Sequence, residues 1–165
     1  MSDIQNAFRL IGSLDLTSLS HDDTEEKIAA LCAKAVTPYG TTAAVCVYPE
    51  WVPLARKLLK KTPVKVATVV NFPAGGNDFK LMKDEIKKGL SGGADEIDAV
   101  FPYRDFLAGN LDSCRRFLDI IQRECGKHTS KIILETGELN HVSTIAAAVK
   151  LCLEYDIDFI KTSTG

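Results

Sequence analysis

The chain has 165 residues, a formal net charge of −2, 45% hydrophobic and 25% charged residues, an ordinary globular mix expected to form one domain with a sizeable core. The near balance of charge excludes a polybasic nucleic-acid or membrane-surface binder and an acidic disordered tail. The longest apolar stretch, Ala43–Tyr48, is far short of a membrane span of ~18–20 residues, and no cationic segment leads into an apolar one at the start. The expectation is a cytoplasmic domain with no membrane and no nucleic-acid partner. A complete (β/α)8 barrel, which needs roughly 200 residues or more, does not fit the length.

In chain order, a leading helix over Ile4–Ile11 precedes a strand over Leu14–Thr17. Ile28, Leu31, Cys32 and Ala35 then recur at helical spacing behind Thr24 or an Asp as N-cap. A second strand, Ala43–Tyr48, is followed by the stripe Leu54, Ala55, Leu58 and Leu59. A third, Val66–Phe72, leads to Met82, Ile86 and Leu90, closed by Gly92-Gly93. A fourth, Glu96–Phe101, leads to Cys114, Phe117, Leu118, Ile121 and Cys125. A fifth, Ile132–Glu135, leads to Val142, Ile145, Ala146 and Val149, and a sixth strand, Phe159–Lys161, follows.

Strict alternation predicts right-handed βαβ units and a parallel sheet, either doubly wound and open or a (β/α) barrel. No G-x-G-x-x-G or G-x-x-x-x-G-K-[ST] follows the first strand, which weighs against nucleotide-binding doubly wound folds.

The five cysteines form no C-x-x-C pair, so neither a zinc ribbon nor a redox motif is expected. Four of them, Cys32, Cys114, Cys125 and Cys152, lie on the apolar faces of predicted helices and read as reduced core thiols. His21, His128 and His141 sit in polar, turn-like stretches whose spacing matches no metal site.

Polar residues gather at one end of the strands, where parallel barrels carry their chemistry. Lys161 follows Ile157-Asp158-Phe159-Ile160 at the far end of an apolar strand. Desolvation lowers a lysine pKa, and a neutral amine can attack a carbonyl to form a Schiff base; the alternative is a lysine that snorkels into solvent. Asp98 lies inside a strand among apolar neighbours, either as a proton-relay acid/base or as half of a structural ion pair. Asp15, at the end of the first strand, carries the same ambiguity, with strand-to-loop capping as a further alternative. Cys46 reads as pocket lining rather than a nucleophile, because no histidine falls at a strand end. Glu135 reads equally as an acid/base group or as a partner for neighbouring cations. Lys65 and Lys131 open their strands, at the end where structural roles are usual.

Several segments together resemble the deoxyribose-phosphate aldolase family. They are Asp15-Leu16-Thr17, Ala43-Ala44-Val45-Cys46-Val47-Tyr48-Pro49, Asn71-Phe72-Pro73, Gly93-Ala94-Asp95-Glu96-Ile97-Asp98, Glu135-Thr136-Gly137-Glu138-Leu139 and Asp158-Phe159-Ile160-Lys161-Thr162-Ser163-Thr164-Gly165. The last is the most specific. The resemblance implies a (β/α)8 TIM-barrel fold and a class I aldolase without cofactor or metal. Such an enzyme cleaves 2-deoxy-D-ribose 5-phosphate reversibly into D-glyceraldehyde 3-phosphate and acetaldehyde. It implies Lys161 as Schiff-base nucleophile, Asp98 as proton relay and Asp15 as a supporting carboxylate. Thr17, Leu19, Cys46 and Phe72 are then pocket residues, with Thr164 and Gly165 at the sugar.

The sequence halts at the reactive-lysine motif, after six β/α units: five crossover helices plus the short leading helix. The family's second lysine, on a seventh strand, and its glycine-rich phosphate loops have no counterpart here. Six strands cannot close an eight-stranded barrel and leave two open edges. A fragment of a longer enzyme is the favoured expectation. A catalytically impaired remnant serving as an assembly module, and a homodimer that pairs the open edges, are the others.

Overall fold

Residues 45–47 and 66–70 are almost wholly apolar, the signature of strands covered on both faces, and all of them, Thr68 included, are buried. The computed structural model describes residues 3–165. The chain divides into two compact units, one taking residues up to Thr68 together with Gly89–Asp95, the other Val69–Lys88 with Glu96–Gly165.

In the first unit α1 (Asp3–Ile11) leads to β1 (Asp15–Thr17) and α2 (Glu25–Lys34). A small antiparallel hairpin, β2 (Val36–Thr37) and β3 (Gly40–Thr41), precedes β4 (Ala44–Val47). A 3-10 turn at Pro49–Trp51 and α3 (Val52–Leu59) then lead to β5 (Lys65–Val70), whose last two residues belong to the second unit. β1 pairs parallel with β4, and β4 with β5, so Asp15 stands opposite Ala44 and Thr17 opposite Cys46. Thr24 caps α2 as expected, its side chain accepting from the Lys27 N–H at 3.3 Å.

In the second unit β6 (Glu96–Val100), β7 (Thr129–Ile133) and β8 (Phe159–Lys161) pair in parallel in that order. α5 (Tyr103–Leu107) and α6 (Leu111–Cys125) connect the first two, and α7 (Thr136–Leu139) and α8 (Val142–Cys152) the last two. α4 (Phe79–Gly92) starts in this unit and ends in the first. In each unit strand order follows chain order, without the reversal that defines a doubly wound sheet. The core here rests on Phe101 and Phe117, whose rings meet edge to face at 5.9 Å, with Ile97, Ile121 and Ile132 around them. Gly75 has φ +58°, and a Cβ there would lie 2.5 Å from the Phe101 carbonyl, so only glycine fits.

Several expectations need correction. The hairpin β2–β3 and the short helices α5 and α7 are additions to the expected five crossover helices and leading helix; at two to five residues each they carry no periodicity to read. The stripe assigned to α8 is displaced: Val142 is 84% exposed, and Ala148, Leu151 and Cys152 are the buried residues. VSTIAAAVKLC is apolar nearly all round, so spacing alone cannot choose its inner face. Leu58 likewise faces out, with Val52, Ala55 and Leu59 turned in. β7 begins at Thr129, three residues before the predicted Ile132, because the polar Thr129 and Ser130 hid an extended start.

Candidate active site

A carboxylate buried in a sheet must find partners, since an unpaired one is costly. Asp98, in the middle of β6, is fully buried, and its partners are both lysines. The register sets Asp98 opposite Lys131 on β7, and Ile133 opposite Lys161 on β8. Paired residues of parallel strands share a face, so Glu96, Asp98, Lys131 and Lys161 all project from one side. Lys161 Nζ donates to Asp98 Oδ2 at 2.5 Å. Lys131 Nζ lies 2.5 Å from Glu96 Oε2 and 3.5 Å from Asp98 Oδ1, an oxygen that accepts no hydrogen bond. The result is an alternating chain, Glu96–Lys131–Asp98–Lys161, of two carboxylates and two ammonium groups.

Exposure grades along that chain. The Lys131 side chain is 7% exposed and that of Asp98 0%, whereas Lys161 is 30% exposed. One ammonium is therefore sealed in and the other can be reached from solvent while resting on the same carboxylate. Lys161 rests on Asp98 rather than extending freely into solvent.

Beyond β8, the segment Thr162–Gly165 is tied back to the end of β7. The Thr136 N–H donates to the Thr162 carbonyl at 2.8 Å. Glu135 Oε2 accepts from the Thr164 N–H at 3.2 Å and from its hydroxyl at 2.5 Å. Glu135 holds φ +56°, a left-handed backbone uncommon for a residue with a side chain. It acts here as the clasp of the Thr164 loop rather than as a partner of a cation.

Of the other predicted positions, Phe72 follows β5 in the second unit. It comes after Asn71, which has φ +56° and donates from Nδ2 to the carbonyls of Gly76 and Val100 at 2.9 Å each. Asp15, Thr17, Leu19 and Cys46 belong to the first unit. There Asp15 opens β1 rather than ending it, because the strand begins one residue later than Leu14. The Thr17 hydroxyl donates to the Asp15 carbonyl at 3.0 Å, and Cys46 is buried in β4. The helical thiols are core groups: burial pushes Cys114 up to about 11 and Cys125 and Cys152 to about 12, so they stay protonated and inert at neutral pH. Among the described residues no cluster of His, Cys, Asp and Glu could hold a metal ion.

Lys131 and Glu96 are the residues that sequence reading missed as members of this constellation. Lys131 is expected from the sequence to open its strand, at the end where structural roles are usual. Extending the strand back through β-branched Thr129 puts Lys131 directly across from Asp98, and that was the available signal.

Comparison with known proteins settles the family. The sequence profile described as DeoC/LacD family aldolase matches residues 9–165. The chain belongs to that family. A candidate deoxyribose-phosphate aldolase from Coccidioides immitis superposes with a TM-score of 0.89 at 30% identity, over 95% of this chain and 61% of that one. One from Toxoplasma gondii does so with a TM-score of 0.86 at 29% identity, over 98% and 62%. The aldolase QR15 gives 0.87 at 32%, over the whole of this chain and 70% of its own. The fold is thus the first six β/α units of the (β/α)8 TIM-barrel type. The chain spans about three fifths of the Coccidioides and Toxoplasma proteins.

Proposed function

We propose that this chain carries the Schiff-base machinery of a class I aldolase acting on 2-deoxy-D-ribose 5-phosphate. The observation that carries the reading is the 2.5 Å contact between Lys161 Nζ, partly open to solvent, and the fully buried Asp98. An amine attacks a carbonyl only when neutral, and in this reading Asp98 Oδ2 takes the departing proton.

In this reading Lys161 Nζ adds to C1 of the open-chain aldehyde to give a carbinolamine, which loses water to become an iminium. Removal of the proton from the C3 hydroxyl lets the C2–C3 electron pair move toward the cationic nitrogen. D-Glyceraldehyde 3-phosphate leaves and an enamine remains. Protonation of its terminal carbon and addition of one water release acetaldehyde and restore the amine. The water lost at the first stage balances the water taken up at the last. Asp98, held between two ammonium groups, is the proton carrier of these steps. Thr164 and Gly165 on the clasped loop, and Phe72, take the substrate-contact roles. Asp15, Thr17, Leu19 and Cys46 take the supporting and pocket roles that the family likeness assigns. The reaction belongs to deoxyribonucleotide breakdown in the cytoplasm.

The test is reductive trapping. Incubation with deoxyribose 5-phosphate or acetaldehyde and borohydride is expected to add the substrate-derived mass to the peptide containing Lys161. Labelling spread evenly over surface lysines would overturn the proposal.

A further inference from the structure

We propose that Lys131 and Glu96 are a positioning pair that governs how strongly Asp98 holds a proton on Lys161; this rests on the Schiff-base reading above. Lys131 is shared between two carboxylates, at 2.5 Å from Glu96 and 3.5 Å from Asp98. It is nearly sealed from solvent, so its charge is screened less than that of a surface lysine. A cation on one side of Asp98 weakens the pull of that carboxylate on the cation at its other side. The more Lys131 leans on Asp98, the more readily Lys161 gives up its proton; the more Glu96 draws it away, the less readily.

Within the second unit Lys161 Nζ pairs with Asp98 on β6, Asp98 also pairs with Lys131 on β7, Lys131 pairs in turn with Glu96, and Asp158 lies just before β8. Glu135 beyond β7 is committed to Thr164. Two substitutions therefore act in opposite directions. Glu96→Gln removes one negative charge and the carboxylate that competes with Asp98 for Lys131, which favours the neutral Lys161 amine. Lys131→Met removes the competing cation and favours the Lys161 ammonium. A purely structural pair would not produce shifts of opposite sign.

The experiment uses the whole chain, acetaldehyde and cyanoborohydride, and peptide mapping of the rate of labelling at Lys161 as a function of pH. Lys131→Met is expected to raise the midpoint of that profile by about one unit, roughly tenfold slower labelling at a fixed pH below it. Glu96→Gln is expected to lower the midpoint, and Lys131→Arg, which keeps the charge, to restore it. Should Lys131→Met fail to fold, the downward shift in Glu96→Gln carries the test. Midpoints that stay in place, or move in the same direction, while Lys161 of the unaltered chain still labels ahead of other lysines overturn the pair alone. Absence of preferential labelling in the unaltered chain overturns the Schiff-base reading and the pair with it.

Discussion

Two aspartates three residues apart, Asp95 in the first unit and Asp98 in the second, contrast a carboxylate bonded to main chain with one bonded to lysines, the one proposed to do chemistry. Asp95 sits just before β6, accepts from the Val66 N–H at 2.9 Å and from the Arg56 guanidinium, and its own N–H donates to the Val66 carbonyl at 2.8 Å. Arg56 is fixed in turn by the Gly93 carbonyl at 2.8 Å. The cluster is saturated with backbone bonds that tie β5 to the turn before β6. Asp98 has lysine ammonium groups as partners, and one of its oxygens accepts no hydrogen bond. A side chain bonded to main chain cannot move its proton contacts without disturbing the strand; one bonded to ammonium groups can. The same spacing recurs at β8, where Asp158 precedes Lys161 by three residues and binds the Ser130 N–H at 2.8 Å.

The sharpest way to break this contrast is at the chemical end. In the proposed reading Asp98→Asn keeps the shape and removes the proton carrier, so cleavage of deoxyribose phosphate is expected to fall by about 10²–10⁴-fold. Trapping of acetaldehyde should remain confined to Lys161, and Lys161→Met should abolish it. Cleavage unaffected by Asp98→Asn would show that the buried carboxylate is as structural as Asp95.

At the structural end, Asp95→Ala strands the Val66 N–H and the Arg56 guanidinium. Losing charge-assisted bonds of this kind costs about 2 kcal/mol, some 6 °C in Tm for a chain of this size, read by thermal denaturation. Preferential labelling of Lys161 should persist in the variant below its transition. A variant that kept its Tm but lost labelling would reverse the assignment of the two aspartates.

Much of this was legible before any coordinates. Lys161 and Asp98 stood out because each is a charged residue flanked by apolar neighbours in its strand, with few solvated places to go. The alternation of short apolar runs with helical stripes placed all six parallel strands within a few residues. What failed did so for identifiable reasons. The ion pairs of Lys131 were not visible because its strand begins with two polar residues, Thr129 and Ser130, and the Asp158 that Ser130 bonds lies 28 positions away. The inner face of α8 was misread because an all-apolar helix has no pattern to resolve. Glu135 could be listed as a polar strand-end residue, but its bonds to Thr164 join positions 29 apart, and only the fold brings them together.

The recurrence at β8 gives the finest discrimination, because Asp158 lies only three residues from the proposed nucleophile. Its Oδ2 accepts from both the N–H and, at 3.3 Å, the hydroxyl of Ser130, and its own N–H donates to the Ser130 carbonyl at 3.2 Å. If Asp158 is a clamp like Asp95, what matters is an acceptor oxygen rather than a charge, and Asp158→Asn retains one. The expected cost is about 1 kcal/mol or less, with the pH midpoint for labelling at Lys161 unchanged. If Asp158 instead belongs electrically to the Glu96–Lys131–Asp98–Lys161 chain, removing its charge favours the neutral amine and lowers that midpoint, as Glu96→Gln is expected to do. Comparing the two variants in one titration therefore decides whether the constellation ends at Glu96 or extends to the aspartate just before β8.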